Sequence, residues 1–456
     1  MPMHVIIVKG YYEMRKDLTS GSIYKNLIMF SLPILMGYFF QNLYNSVDSA
    51  IVGQYVGKAA LGAVTSSATI SNVIVGFFTG LATGVTVILS RYFGAKDYEM
   101  LHKAIHTSIL FSIVSGVVMA LIGQFISPLL LKAVDCPADV YEQAIIYLRL
   151  YLIGCIFTSI YNVSSSVLRS VGDSRSPFIY LVISSVVNIV LDVVLVANFK
   201  MGVAGVGIAT IVSQVVSCVC VYLKLSRTND VHKLVIKDLS IDFKILKSLI
   251  NIGLPAGLQT CLISLSNVFI QRYVNMFGSD AIAGVGAAQK VDNFASMPGQ
   301  SLGLAITTFV SQNLGADKPE RVKEGIKVSI VLVLVSLIPI VVFGMVFASS
   351  LVGIFNRDPD VVKYGSDMVR ALLPLYFILG LNSVYSGVVR GYGHSRAVMI
   401  LSLIAMVVLR QIYLAIGMQL VHSIYVVYYG YPVAWLLATV AIYVFYKVVV
   451  LKANKK

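Results

Sequence analysis

A chain of 456 residues that is 57% hydrophobic and only 12% charged has too little polar surface to coat a water-soluble globule of its size, which excludes a soluble enzyme or binding module. The net charge of +14 would suit a nucleic-acid binder, but the basic residues are spread over alternate loops instead of one patch, so no nucleic-acid partner is expected. Cys136, Cys155, Cys218, Cys220 and Cys261 form no CxxC pair and the histidines no HExxH motif, so neither disulfide, structural metal, metalloenzyme chemistry nor any cofactor is indicated.

In chain order, Met1 to Asp17 hold only the short apolar run Val5 to Val8, too short for a signal-peptide core, so insertion is expected through the chain's own helices. Apolar runs of about twenty residues or more then recur, as membrane helices require and barrel strands do not. The spans read as 25–54, 60–90, 103–128, 138–166, 177–198 and 203–225, followed by 248–275, 281–311, 323–348, 360–387, 397–418 and 424–449. This predicts an all-α polytopic membrane protein of twelve transmembrane helices. Its parts are an N-terminal tail 1–24, a first lobe 25–225, a linker 226–247, a second lobe 248–449 and a tail 450–456.

Of the 35 basic residues, 25 fall on one side of this arrangement, including Lys9, Arg15, Lys16, Lys25, Lys233, Lys237, Lys455 and Lys456. The other side holds few, among them Lys58, Lys132, Lys200, Arg357 and Lys363. By the positive-inside rule both termini and the linker are expected in the cytoplasm, and the protein in the cell membrane.

Sliding the second half back by 221 or 222 positions brings the halves into register. Leu32-Pro33 meets Leu254-Pro255, Asn45 meets Asn267, and Ser90-Arg-Tyr-Phe-Gly-Ala95 meets Ser311-Gln-Asn-Leu-Gly-Ala316. Leu168-Arg-Ser-Val-Gly-Asp-Ser-Arg175 meets Val389-Arg-Gly-Tyr-Gly-His-Ser-Arg396. Each half has six spans, so the repeat is parallel, and transporters built in this way bind substrate between the halves.

The first span carries an anomaly. Gln41, Tyr44, Asn45 and Asp48 fall at i, i+3, i+4 and i+7, one polar stripe on a helix that is otherwise apolar. A carboxylate at mid-bilayer costs roughly 2.5–3.5 kcal/mol on insertion scales, so its default reading is a functional site. The fifth span repeats the theme with Asn188 and Asp192 one turn apart. Counting about 1.5 Å per residue from the outer ends, Asp48, Asp192 and Thr210 fall in one layer. Two carboxyl groups there can take and release a proton near neutral pH. Alternatively, Asp, Asn and Thr oxygens make a hard cage for Na⁺, formed by Asp48, Asp192, Asn188 and Thr210. A purely structural polar network is the competing reading.

These residues resemble the multidrug and toxic compound extrusion (MATE) transporters over nearly the whole chain. The resemblance rests on Asp17-Leu-Thr-Ser-Gly-Ser22, Leu32-Pro33, Val47-Asp-Ser-Ala-Ile-Val-Gly53, the paired Phe93-Gly-Ala95 and Leu314-Gly-Ala316 turns, and both Arg-x-x-Gly-x-Ser-Arg turns. It implies two six-helix lobes in a V around a central cavity. The implied activity is export of cationic amphipathic compounds, small organic cations among them, in exchange for H⁺ or Na⁺. The family's first-span acid falls on Asp48, its fifth-span Asn and Asp on Asn188 and Asp192, and its sixth-span Thr on Thr210. Ion coupling is therefore expected at Asp48, Asn188, Asp192, Thr210 and Asn45, and substrate contact at Gln41, Tyr44, Tyr161, Asn162, Gln289 and Lys290, in a protein acting as a monomer.

One branch of the family has an acid in its seventh span, and here Ile250 to Phe277 holds neither Asp nor Glu. Under the 221 register Asp192 meets Tyr413 and, under 222, Asp48 meets Ile270, so coupling is expected in the first half alone. Asp292 is left as an oddity, open to pairing with Arg410 or to substrate contact. The alternative function is a flippase for lipid-linked or other amphipathic substrates. It would need many basic residues lining its cavity, and only Lys290 and Arg410 are candidates.

Overall fold

The structure is a computed structural model that describes residues 17–134 and 136–453. Lys9, Arg15, Lys16, Lys455, Lys456 and the Val5 to Val8 run lie outside the described residues. The secondary structure of the described residues is helical: α1 Ile23–Tyr55, α2 Lys58–Gly94, α3 Tyr98–Ala133, α4 Tyr141–Ser170, α5 Arg175–Asn198 and α6 Gly202–Arg227. After the linker follow α7 Phe243–Asn275, α8 Ser279–Gly315, α9 Pro319–Gly353, α10 Pro359–Gly391, α11 Ser395–Leu420 and α12 Ile424–Val450. Eleven helices among the described residues are long and apolar enough to cross a membrane. The twelfth expected span corresponds to α8, which is as long as α2 but interrupted by the polar run Gln289 to Asn293.

The helix starts follow from local chemistry. Asp97 caps α3 by accepting from the Met100 amide at 3.1 Å, and Asp173 accepts from the amide of Ser176 at 2.9 Å at the start of α5. Pro319 and Pro359 occupy first helical positions, where no amide hydrogen is needed. Among the described residues four helices change winding: α10 has a 3-10 turn at Leu373–Leu375, and α12 ends π-helical over Tyr446–Val450. The last turn of α5, Val193–Asn198, is π-helical, and so is Ile404–Leu409 in the middle of α11.

The repeat is visible in the backbone itself. Left-handed φ values occur at Gly57 and Gly278, at Lys96 and Asp317, and at Gly172 and Gly393, each pair 221 positions apart. These three turns have thus kept one geometry in both halves, even where the residue is Lys or Asp and the left-handed region is sterically costly.

The described residues divide into two compact units. One comprises 17–21, Met36–Gly257 and Gly315–Asp317, and the other comprises Ser22–Leu35, Leu258–Leu314 and the chain from Lys318 onward. The divisions inside α1 and α7 fall two residues after Pro33 and Pro255.

In the first unit, α2 and the start of α7 meet backbone to backbone. A Cβ on Gly80 would collide with Gly257 N, and one on Gly84 would lie 2.5 Å from Leu249 O, so only glycine permits this crossing. The linker is fastened to the same unit. His106 Nε2 accepts from the Val235 amide at 3.1 Å, Thr107 Oγ1 accepts from the Asp242 amide at 3.0 Å and donates to Ser240 O at 3.3 Å. Leu234, Ile245 and Leu249 are buried with Leu101, Ile105, Val221 and Leu225.

Candidate functional site

Asp48 lies on α1, Asn188 and Asp192 on α5, and Thr210 on α6, all within the first unit. Asp192 is fully buried, Asn188 and Thr210 are buried, and Asp48 is half-buried. The Asp48 and Asp192 carboxyl groups lie close enough to interact electrostatically with each other. The layer inferred from counting residues along three helices is therefore a physical juxtaposition for its two acids.

One apolar cluster adjoins this layer. It contains Val52, four residues after Asp48, Val196, four after Asp192, and Val206, four before Thr210, together with Ile51, Val64 and Val203. Each polar residue thus has an apolar neighbour one turn along its own helix, and those neighbours pack on one another. The cluster keeps water away on that flank.

The polar groups have few internal partners. Asp192 Oδ1 and Oδ2, Asn188 Oδ1 and Nδ2, and Asp48 Oδ1 have no hydrogen-bond partner among the described residues. Thr210 Oγ1 donates to Val206 O at 2.9 Å, which leaves its lone pairs free to accept. Two carboxylates are acceptors only, so their contact is favourable only if a proton is shared or a cation lies between them. A buried polar atom without a partner costs about 1–3 kcal/mol, more when charged, so such a concentration of orphaned oxygens is a poor structural network and a good binding site. The donor set of carboxylate, amide and hydroxyl oxygens fits a proton or a hard cation such as Na⁺.

Tyr147 on α4 is the member of this layer that the residue pattern did not signal. It belongs to the apolar cluster, and its phenol interacts electrostatically with both Asp48 and Asp192. It stacks loosely on Tyr151 one turn away, ring centroids 6.3 Å apart. The only sequence hint was the Tyr147, Tyr151, Cys155 stripe at i, i+4 and i+8, which reads equally well as ordinary core.

The other expected contacts are placed as follows. Tyr44 is half-buried beside Asp48, in contact with the Gln41 side chain. Asn45 is exposed. Tyr161 donates to Pro177 O at 2.8 Å, fixing its ring between α4 and α5, and Asn162 Nδ2 turns back to Thr158 O at 2.9 Å, leaving its carbonyl oxygen as the free end. In the second unit Gln289 and Lys290 are exposed. Gln289 contacts Tyr431, and Lys290 Nζ lies 5.8 Å from the Phe355 ring centre. Of the two readings left open for Asp292, pairing with Arg410 is not what the structure has. Arg410 Nη2 donates to Ser266 Oγ at 2.8 Å and Asn267 Oδ1 at 3.0 Å, and its guanidinium lies over the Tyr431 ring at 5.5 Å.

Comparison with known proteins gives one consistent result. The sequence model of the MatE family matches residues 33–194 and 255–416, one match in each half. The chain is 31% identical over 396 residues to the probable multidrug resistance protein YpnP of Bacillus subtilis (strain 168), covering 86% of this chain and 88% of that protein. It is 28% identical over 439 residues to the probable multidrug resistance protein YoeA of the same organism, covering 94% of each. Among solved structures, the fold matches an outward-facing conformation of a multidrug resistance MATE family transporter of the MOP superfamily. The TM-score is 0.90 at 22% identity, over 96% of this chain and 98% of that one.

Proposed function

The chain belongs to the MatE family, and from that premise we propose that it is a secondary antiporter that exports cationic amphipathic drugs and other xenobiotics in exchange for H⁺ or Na⁺. The observation that carries this reading is the layer of orphaned oxygens on Asp48, Asn188 and Asp192, closed on one flank by valines.

Coupling follows from the charge of that layer. With the acids ionised, the first unit carries two negative charges in a medium of low dielectric, and their repulsion is relieved by a proton or Na⁺. A cationic substrate near α1 is drawn by the same charge. Ion and substrate therefore compete for one electrostatic well, and a unit that holds one has less affinity for the other. Exchange results when the two bind preferentially in states open to opposite sides of the membrane. Gln41, Tyr44, Tyr161, Asn162, Gln289 and Lys290 supply amide and aromatic surfaces that accept varied organic cations through stacking and cation–π contact. The protein works as a monomer in the cell membrane, with its termini and the 226–247 linker in the cytoplasm.

Reconstituted in proteoliposomes, the protein should export a fluorescent organic cation when a proton or a sodium gradient is imposed. Failure of both gradients to drive export would overturn the antiport reading. A cysteine placed at Asn229 should resist an impermeant reagent added outside intact cells, and labelling there would overturn the orientation.

A further inference from the structure

The second unit has a counterpart of the ion layer, and it is already filled. Its register follows from the π-helical turns of α5 and α11. Gly172 and Gly393, which precede α5 and α11, are 221 positions apart. In α11 the π-turn Ile404–Leu409 takes up one extra residue, whereas the π-turn of α5, Val193–Asn198, comes only after Asp192. Between the two bulges the offset is therefore 222, which sets Arg410 against Asn188 and Leu414 against Asp192. Burial agrees: Arg410 and Leu414 are 3% and 0% exposed, as Asn188 and Asp192 are 1% and 0%. Leu409 and Tyr413, their partners under 221, are exposed and half-buried. Past both bulges the 221 offset returns and sets Tyr431 against Thr210. On α7 the 222 offset sets Asn267 against Asn45 and the buried Ile270 against Asp48.

We propose that Arg410 is a tethered substitute for the coupling ion: its guanidinium stands in the layer of the second unit that corresponds to the exchangeable-ion layer of the first, and holds that unit permanently in a cation-filled arrangement. The inference rests on the coupling role assigned to Asp48 and Asp192. The guanidinium is held as a bound cation would be, by Ser266 Oγ, by Asn267 Oδ1 and by the face of Tyr431. Ser266 is oriented in turn by donating to Met406 O at 3.4 Å, a carbonyl of the π-turn itself. Where the first unit has two acids to receive a mobile cation, the second has Ile270 and Leu414, because a cation fixed by a covalent tether needs no carboxylate to recruit it. A guanidinium also keeps its proton, so the layer cannot cycle between charged and neutral forms. The second unit is thus a positioning element whose polar layer does not exchange.

Removing the tether should make the site selective for the missing group. In the full-length protein in proteoliposomes, Arg410→Ala should lower gradient-driven export by about tenfold or more. Millimolar guanidinium or methylguanidinium should restore most of it, while equal Na⁺, K⁺ or choline should not. In detergent, the same guanidinium should raise the Tm of Arg410→Ala and leave that of the native protein unchanged. Export and Tm that ignore guanidinium would overturn the inference. Arg410→Lys and Arg410→Gln separate charge from packing should the alanine variant not fold: Lys should export within a few-fold of native and Gln far below it, and equal export by the two would also overturn it. Normal coupled export by Asp48→Asn would sink the coupling reading itself. An inactive Asp48→Asn beside an unrescued Arg410→Ala would sink this inference alone.

Discussion

The two halves of the chain share three of their turns and differ in their polar layers. At Gly57 and Gly278, Lys96 and Asp317, and Gly172 and Gly393 the backbone takes the same left-handed form in both halves. Among the corresponding layer positions only Asn45 and Asn267 are alike. Asp48, Asn188, Asp192 and Thr210 stand against Ile270, Arg410, Leu414 and Tyr431. The difference teaches that scaffold and charge are independent properties here. The turns are dictated by helix length and the sterics of chain reversal, which any functional layer must satisfy. The layer needs only to be shielded and self-consistent, and a buried acid beside a half-buried one, awaiting a cation, or one buried arginine with two oxygen acceptors both meet that condition.

The comparison breaks most sharply at the acids. Asp48→Asn or Asp192→Asn should abolish gradient-driven export while substrate binding, measured by fluorescence titration of the purified protein, persists; normal exchange in both variants would remove the asymmetry between the units. Asn188→Ala keeps both charges and removes one oxygen, so the ion concentration that half-saturates export should rise by roughly tenfold. If it did not move, Asn188 would be structural. Thr210→Val should raise the same quantity by only a few-fold, because one hydroxyl contributes about 1 kcal/mol. Smallest of all is the effect of Asp292→Asn in the second unit. It should weaken substrate binding by no more than about threefold and leave the ion dependence unchanged, since the layer of the second unit does not exchange its cation and a partly exposed charge contributes under ~1 kcal/mol. A shift in ion dependence there would extend coupling to both units.

Much of this was legible from residues alone. Length and hydropathy locate the spans because a bilayer demands runs of about twenty apolar residues. Asp48, Asn188 and Asp192 stand out because acids and amides are costly in that setting. Tyr147 did not stand out, since an aromatic on an apolar helix is ordinary core until its phenol is found to interact with both carboxyls. The residue matching Asp192 was placed at Tyr413 and belongs at Leu414, because a π-turn leaves no mark in composition while advancing the register by one residue. For the same reason the relation of Arg410 to Asn188 was hidden, and charge alone suggested Asp292 as its partner. Instead the buried arginine donates from Nη2 to two neutral oxygens.

The division of α1 and α7 between the units has a consequence for how the protein is made. When the ribosome has finished α6, the first unit still lacks Phe243–Gly257, whose glycines receive α2, and Gly315–Asp317, of which Gly315 lies against the Arg91 carbonyl. The stretch Ser22–Leu35, synthesised among the first, belongs to a unit none of whose other residues yet exists. At about 5–20 residues per second, the missing pieces arrive over a delay on the order of ten seconds. During that interval six inserted helices stand in the bilayer as an incomplete assembly, with the glycine face of α2 unfilled. Biogenesis therefore depends on the lipid, or a membrane chaperone, tolerating an open half until the second half closes it.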